Sequence, residues 1–441
     1  MKRALAGIFW LLLYVAIVLG ALGLMRLPPQ PAADRPFLID LAIALGFLGL
    51  MQIALQFLLI ARFPSITSPY GIDVIMEYHR EIGFLAFGMV LLHPVLLLAA
   101  QPSWLGLLNP FGGTWASRSG VISLAALALL IGLSIFRSTL RLNYEVWRVM
   151  HFALGAAAIV AGALHVLLVG EYVNWYWKQG LWIAVALLAL GELAYLRLIK
   201  PLGQRRVSYR VVEVRKERGR TWSLIVEPVG HAGMAFEPGQ FAWLKVGRNP
   251  LTIEEHPFSF SSSAESPAHL EFAIKEQGDF TGAIGALPPG TRVFLDGPHG
   301  ALSIDQHPAA AYVMIAGGIG IAPMMSMLRT MADRQDQRPV RLLYGNRAWD
   351  SVAFREELES LRGRLRLEVV HVLKEPPPPD AWKGETGVFT TDLLKRCLPR
   401  DRLTRVIFVC GPNAMIDAVD ASLREIGVPD AVIVAERFEL V

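Results

Sequence analysis

Residues 75–100 read IMEYHREIGFLAFGMVLLHPVLLLAA, and residues 147–169 read WRVMHFALGAAAIVAGALHVLLV. Each is long and apolar enough to cross a hydrocarbon core, which takes about 20 helical residues. Each carries two histidines fourteen residues apart: His79 and His93 in the first, His151 and His165 in the second. At about 100° per residue, that spacing is four turns less about 40°, so each pair shares one helix face, with a rise of about 21 Å between its members. Polar residues inside a span are expensive and mark function. Pro94 directly follows His93, and a kink is expected there.

A lone membrane histidine is more often a helix–helix hydrogen bonder or a member of a proton relay than a haem ligand. Two pairs with one spacing point to metal. The third and fifth spans run in the same direction, which sets His79 level with His151 and His93 level with His165. Two helices offering two level pairs can clamp two stacked cofactors in a bundle core. An imidazole on each face of a haem iron fills both axial positions and suits the iron to single-electron transfer. The expected metal ligands are therefore His79, His93, His151 and His165, holding two b-type haems.

Six membrane spans are expected around these two, over 4–25, 37–61, 75–100, 119–136, 147–169 and 180–198. The first follows Lys2 and Arg3, but it is too long for a typical signal-peptide core and no clear small-residue cleavage site follows, so it reads as a retained span. Arg62, Arg137, Arg141, Lys200, Arg205 and Arg206 fall on the side of the N-terminus. The positive-inside rule then places the N-terminus and everything after residue 200 in the cytoplasm of a multi-pass protein of the cell (inner) membrane. Trp104, Trp115, Trp175, Tyr176 and Trp177 lie in the outer loops of this reading and suit an interfacial aromatic belt. Arg80 and Arg148, near the inner pair, fit haem propionates or the positive-inside bias equally well.

The whole chain has 441 residues, 53% of them hydrophobic and 18% charged, against about 25% charged in a typical soluble domain. Residues 1–200 hold 13 basic and 8 acidic side chains, and residues 201–441 hold 29 and 30. The net charge of +4 therefore belongs to the membrane half, whose partner is the lipid bilayer, and is no sign of nucleic-acid binding. Cys397 and Cys410 are the only cysteines, which excludes a disulfide framework and a cysteine-ligated zinc or iron–sulfur centre.

Beyond the di-haem domain (1–200), six short alternating strands with Gly/Pro turns read as an antiparallel β-barrel over 201–305. From 306 to 441 the pattern becomes strand–turn–helix, an α/β doubly wound layer. Between YVMIAG and the helical MMSMLRTMADR, Gly317, Gly318 and Gly320 would let backbone approach a phosphate at a helix N-terminus. Pro323 suits the first helical turn.

His256-Pro257-Phe258-Ser259-Phe260-Ser261-Ser262 resembles the flavin-binding motif of the ferric reductase and NADPH oxidase family. Asp279-Phe280-Thr281 and Gly297-Pro298-His299-Gly300 resemble motifs of the wider ferredoxin–NADP reductase-like fold, and AGGIGIAP, LLYGNR and VCGPNAM resemble its pyridine-nucleotide half. The four histidines match the family's transmembrane domain. The resemblance covers nearly the whole chain, in the family's order. It implies FAD along residues 256–262, with Thr281 opening a short helix over the FAD pyrophosphate. It implies Cys410, Gly411 and Pro412 near the nicotinamide and Phe438 against the flavin ring, although three residues follow Phe438 here. Arg347 matches a position that meets the 2′-phosphate of NADPH in relatives; a planar guanidinium suits phosphate, which favours NADPH over NADH.

The implied activity is a relay: hydride from NADPH to FAD, then single electrons to the haem of His79 and His151, to that of His93 and His165, and to a small-molecule acceptor outside. Oxygen (giving superoxide), ferric chelate and quinone are all compatible with the sequence, and no protein partner is indicated. Two other readings stand beside it: a cytochrome/flavin subunit feeding a quinone or partner protein, and a haem-free channel or transporter with a nucleotide domain.

Overall fold

The computed structural model describes residues 2–27 and 35–437. The chain divides into two compact units, Met1–Tyr70 with Val74–Lys200, and Gly71–Asp73 with Pro201–Val441.

The first unit is helical: α1 (Lys2–Arg26), α2 (Phe37–Ile60), the short α3 (Pro64–Tyr70), α4 (Ile72–Ala100), α5 (Trp115–Ile135), α6 (Tyr144–Val169) and α7 (Tyr176–Ala194). A π turn over Tyr195–Ile199 carries α7 into α8 (Lys200–Gln204), which lies in the second unit. Six helices are long and apolar enough to cross a membrane, with the sixth running from Tyr176 to Gln204. α4, α5, α6 and α7 each start three or four residues earlier than hydropathy suggests. Thr114 caps α5 by accepting from the Ser117 N–H, and Asn143 caps α6 by accepting from the Glu145 N–H, each satisfying an otherwise orphaned donor. Trp115, Tyr176 and Trp177 therefore stand on first helical turns, not in loops, and Arg118 and Lys178 lie within α5 and α7.

Small residues let these helices close up, as membrane packing requires. A Cβ on Gly49 of α2 would lie 2.6 Å from Val90 of α4, and one on Gly162 of α6 would lie 2.6 Å from Leu50 of α2. The Ser123 hydroxyl of α5 donates to the Ala158 carbonyl of α6 at 2.8 Å.

The second unit holds two sheets. The first comprises β1 (Tyr209–Glu217), β2 (Thr221–Pro228), β3 (Phe241–Val246), β4 (His256–Ser259), β5 (Leu270–Lys275) and β6 (Arg292–His299), all antiparallel in the order β4-β3-β6-β1-β2-β5. It curls until Phe260, one residue past β4, bridges Phe272 of β5. Leu224, Leu244, Phe260, Phe272 and Ile274 fill its interior. The short α9 (Asp279–Ala283) lies between β5 and β6 in the chain.

The second sheet is parallel throughout: β7 (Tyr312–Gly317), β8 (Val340–Ala348), β9 (Leu367–Glu375), β10 (Glu385–Thr386), β11 (Val406–Cys410) and β12 (Ile433–Glu436), in the order β10-β9-β8-β7-β11-β12. β7 is buried along its whole length, as a strand covered on both faces must be. Its alternate residues enter two cores. Tyr312, Met314 and Ala316 pack with α10 (Ile321–Asp333) and α11 (Arg355–Arg362), while Val313 and Ile315 pack with α12 (Thr391–Cys397) and α13 (Asn413–Glu425). Strand order reverses between β7 and β11, the switch point outside whose carboxyl ends α/β sheets bind ligands.

Candidate functional site

The four membrane histidines meet in the two expected pairs. His79 on α4 faces His151 on α6 with ring centres 6.2 Å apart, and His93 faces His165 at 6.1 Å. A metal bonded to two imidazoles at about 2 Å each, with each ring centre about 1 Å further back, separates those centres by about 6 Å. Both pairs thus leave the gap that an iron held from both sides needs. His93 Nδ1 lies 2.8 Å from the Ala42 carbonyl, and His165 Nδ1 lies 2.7 Å from the Ala116 carbonyl. A carbonyl only accepts, so both Nδ1 atoms carry the hydrogen and each Nε2 keeps its lone pair for a metal. The donor set fits haem iron.

The structure separates the two arginines near the inner pair. Arg80 is exposed and pairs with Glu81 at 2.9 Å. Arg148 is buried, with its guanidinium over the rings of Tyr144 and Phe152.

At the switch point the glycine-rich turn after β7 meets the end of β11. Gly317 through Gly320 lead into α10, whose third residue is Pro323. Gly318 has φ +54°, a left-handed conformation that glycine adopts without strain. Gly317 and Gly320 are also fitted to the neighbouring loop. A Cβ on Gly320 would strike the Cys410 carbonyl, one on Gly317 would strike Met415, and the Cα of Gly317 lies 3.2 Å from where a Cβ of Gly411 would stand. The two loops are fitted glycine against glycine. Tyr344 Oη donates to the Gly318 carbonyl at 3.2 Å.

Cys410 is fully buried, and burial pushes its thiol well above the usual range, with the Glu436 carboxyl adding to the shift. Burial likewise raises Glu436. Pro412 precedes α13 as its cap residue. Arg347, at the end of β8, is exposed and pairs with Glu375 at the end of β9 at 2.9 Å.

The flavin-type stretch runs along β4, where His256 is opposite Leu244 and Ser259 opposite Phe241. Two motifs distant in sequence meet here. Phe280 stacks on Phe258 with ring centres 6.1 Å apart and lies 4.4 Å from His256, while Pro257 pairs with Trp243. Ser261 and Ser262 turn toward β5. The Ser261 hydroxyl donates to Glu271 at 3.2 Å, and Ser262 Oγ accepts from the Glu271 N–H at 3.1 Å. Arg329 donates to Glu271 at 2.9 Å and to the Ser261 carbonyl at 2.7 Å. Burial alone would raise the Glu271 carboxyl, but Arg329 prevails and holds it below the usual range. α9 opens at Asp279, two residues before Thr281, because the Thr281 hydroxyl reaches back to accept from the N–H groups of Gln277 and Gly278. Thr281 locks the helix start rather than forming it.

Sequence reading missed Arg329, Glu271, Glu375 and Lys275. Lys275 ends β5, and its Nζ lies 3.7 Å from where a Cβ of Gly318 would stand. The signal was present: a lysine directly after the buried run LEFAI. Phe438 lies outside the described residues.

Three family descriptions match in chain order: a ferric reductase like transmembrane component over residues 45–162, an FAD-binding domain over 229–303 and an oxidoreductase NAD-binding domain over 314–421. The propane 2-monooxygenase reductase component of Rhodococcus jostii is 34% identical over 223 residues, 49% of this chain and 59% of that protein. NADH-cytochrome b5 reductase 1 of Candida glabrata is 29% identical over 190 residues, 42% of this chain and 66% of that one. The chain thus spans little more than half the length of the first of these curated relatives. A solved ferredoxin reductase of carbazole 1,9a-dioxygenase is similar at 25% identity and a TM-score of 0.46, covering 53% of this chain and 69% of its own. With an apolar helical unit followed by a curled antiparallel sheet and a parallel α/β sheet, the chain joins, in this order, a region similar to a ferric reductase like transmembrane component, one similar to an FAD-binding domain and one similar to an oxidoreductase NAD-binding domain.

Proposed function

We propose that the chain carries electrons from cytoplasmic NADPH, through FAD and two b-type haems, to an acceptor on the outer side, either molecular oxygen (giving superoxide) or ferric chelate. The observation that carries this reading is the pair of 6.2 Å and 6.1 Å histidine gaps on the same two helices, in a chain that also carries FAD- and NAD-binding domains. His79 and His151 would hold the inner haem, and His93 and His165 the outer one. Bound between these residues, FAD would supply the change from hydride to single electrons and haem iron would supply single-electron transfer.

The chain's own residues bind and orient. The carbonyls of Ala42 and Ala116 fix the outer rings with Nε2 inward. In the soluble unit, His256 through Ser262 and the α9 start at Thr281 would hold FAD. Gly317, Gly318 and Gly320, with the α10 N-terminus and Pro323 behind them, would receive the nucleotide pyrophosphate, where backbone N–H groups and the positive dipole end favour anions. Arg347 would take the 2′-phosphate. Cys410, Gly411 and Pro412 would border the nicotinamide, and Phe438 the flavin ring. The basic inner loops support the cytoplasmic placement of this unit.

The name of the Rhodococcus relative, a reductase component, supports a second reading, in which the chain hands its electrons to a quinone or partner protein. The deciding test uses the purified full chain. A reduced-minus-oxidised spectrum should show b-type haem at two per chain, and NADPH with FAD should be consumed when oxygen or ferric chelate is supplied. Absence of a b-type signal removes the relay. Consumption that needs an added quinone selects the second reading.

A further inference from the structure

We infer that α2 and α5 carry a fourteen-residue repeat that answers the histidine spacing, and that Ser134 and Gln56 are its inner members, the positioning residues for His151 and His79. The inference rests on the haem reading above.

The outer pair shows how the device is built. Each Nδ1 rests on a helical carbonyl, Ala42 on α2 or Ala116 on α5. In both cases the residue four further on is glycine. A Cβ on Gly46 would stand 3.0 Å from His93 Nδ1, and one on Gly120 would stand 2.8 Å from His165 Nδ1. An alanine–three–glycine notch therefore opens a carbonyl that already serves its own helix, and the ring leans into it.

Fourteen residues along α5, Ala116 becomes Leu130 and Gly120 becomes Ser134. The side chain at the glycine position now relays the carbonyl. Ser134 Oγ donates to the Leu130 carbonyl at 2.8 Å, Trp147 Nε1 donates to Ser134 Oγ at 3.2 Å, and His151 Nδ1 lies 3.3 Å from the same oxygen. With its one hydrogen committed to Leu130, Ser134 can only accept from the ring. His151 thus carries its hydrogen on Nδ1 and turns its Nε2 lone pair to the haem gap.

The same step along α2 turns Ala42 into Gln56. α2 and α4 run in opposite senses: Ala42 meets His93, and further along Gly49 meets Val90 and the Ala86 carbonyl. Continuing that register brings Gln56 to the level of His79. Gln56 is 8% exposed. Among the described residues, neither its Oε1 nor its Nε2 has a hydrogen-bond partner, and His79 Nδ1 is also buried without one. Unpaired polar atoms are costly in an apolar interior. A carboxamide oxygen accepting from Nδ1–H satisfies the Gln56 Oε1 and the His79 Nδ1 together.

Partners behind a metal-bound histidine raise its basicity and are typically worth 10–100-fold in metal affinity. The test is redox titration and haem quantification on the full chain carrying Ser134→Ala, Ser134→Thr or Gln56→Leu, with His151→Ala marking which of the two titration steps is the inner haem. Ser134→Ala and Gln56→Leu should each raise the midpoint of the inner step, and about a tenfold selective loss of ferric affinity corresponds to about 59 mV. The outer step should stay in place, which also certifies the fold, and Ser134→Thr should restore the wild-type midpoint. Wild-type inner midpoints in both Ser134→Ala and Gln56→Leu, or a shift confined to the outer step, would overturn the inference with the haem reading intact. A wild-type chain without haem would remove both.

Discussion

In the membrane unit the atoms that matter are ring nitrogens, carried by four side chains on α4 and α6 and held by carbonyls and a hydroxyl on neighbouring helices. In the soluble unit they are mostly backbone groups, at the turn after β7 and the end of β11, where two loops touch through glycines. On the proposed haem reading, the first site can lose a ligand while the helices stay packed. The second cannot lose Gly320 without moving the strand end beside it. The same chain therefore separates function from folding in one half and merges them in the other.

Replacing His93 or His165 with alanine tests the first half of that contrast and should give the largest effect. Reduction of an outside acceptor should fall by more than about 100-fold, because even the partners behind a metal ligand are worth 10–100-fold. Flavin reduction by NADPH, followed by stopped-flow bleaching, should be unchanged. External reduction at the wild-type rate would break the contrast, since the rings would then serve only packing.

Two glycine variants test the second half. In Gly320→Ala the new Cβ presses on the Cys410 carbonyl of a buried strand, and overpacking of this kind costs about 1–3 kcal/mol. The soluble unit should melt several degrees lower, with the b-type spectrum unaltered. Gly318→Ala meets only Lys275 Nζ at 3.7 Å; its cost is the left-handed backbone, about 1 kcal/mol. Its KM for NADPH should rise more than its stability falls. If both variants changed only KM, the glycine fit between the loops would not be structural.

The histidines were legible because a period of fourteen is a statement about one helix face, and side chains are what a sequence records. The carbonyls of Ala42 and Ala116 were not, because a backbone acceptor leaves no letter; only Gly46 and Gly120, the missing Cβ atoms above them, betray it. The glycine-rich turn was visible as a turn, but the partner that demands Gly317 and Gly320 lies some ninety residues away in sequence, on β11 and its loop. β10 and β12, two and four residues long, are too short to show a period. That the Ser261 and Ser262 hydroxyls meet Glu271 was not legible, because it depends on cross-strand pairing with β5. The start of α5 shifted because an interfacial tryptophan, Trp115, could belong to loop or helix, and the Thr114 cap decided it.

The smallest effects should come from a charged pair at the ends of β8 and β9. Arg347 and Glu375 are both exposed and lie 2.9 Å apart, and such pairs contribute about 0.2–1 kcal/mol. The pair therefore matters little for folding, but it engages the cation proposed for the 2′-phosphate. Arg347→Ala should raise KM for NADPH about tenfold and leave KM for NADH alone. Glu375→Gln removes the competitor and should lower KM for NADPH two- to fivefold, as expected from the loss of about 1 kcal/mol or less of competing attraction. NADH and NADPH responding equally to both changes would place the 2′-phosphate elsewhere. A preference that moves in opposite directions in the two variants would make this exposed pair, and not the buried glycine fit, the part of the soluble site that can change coenzyme without touching the fold.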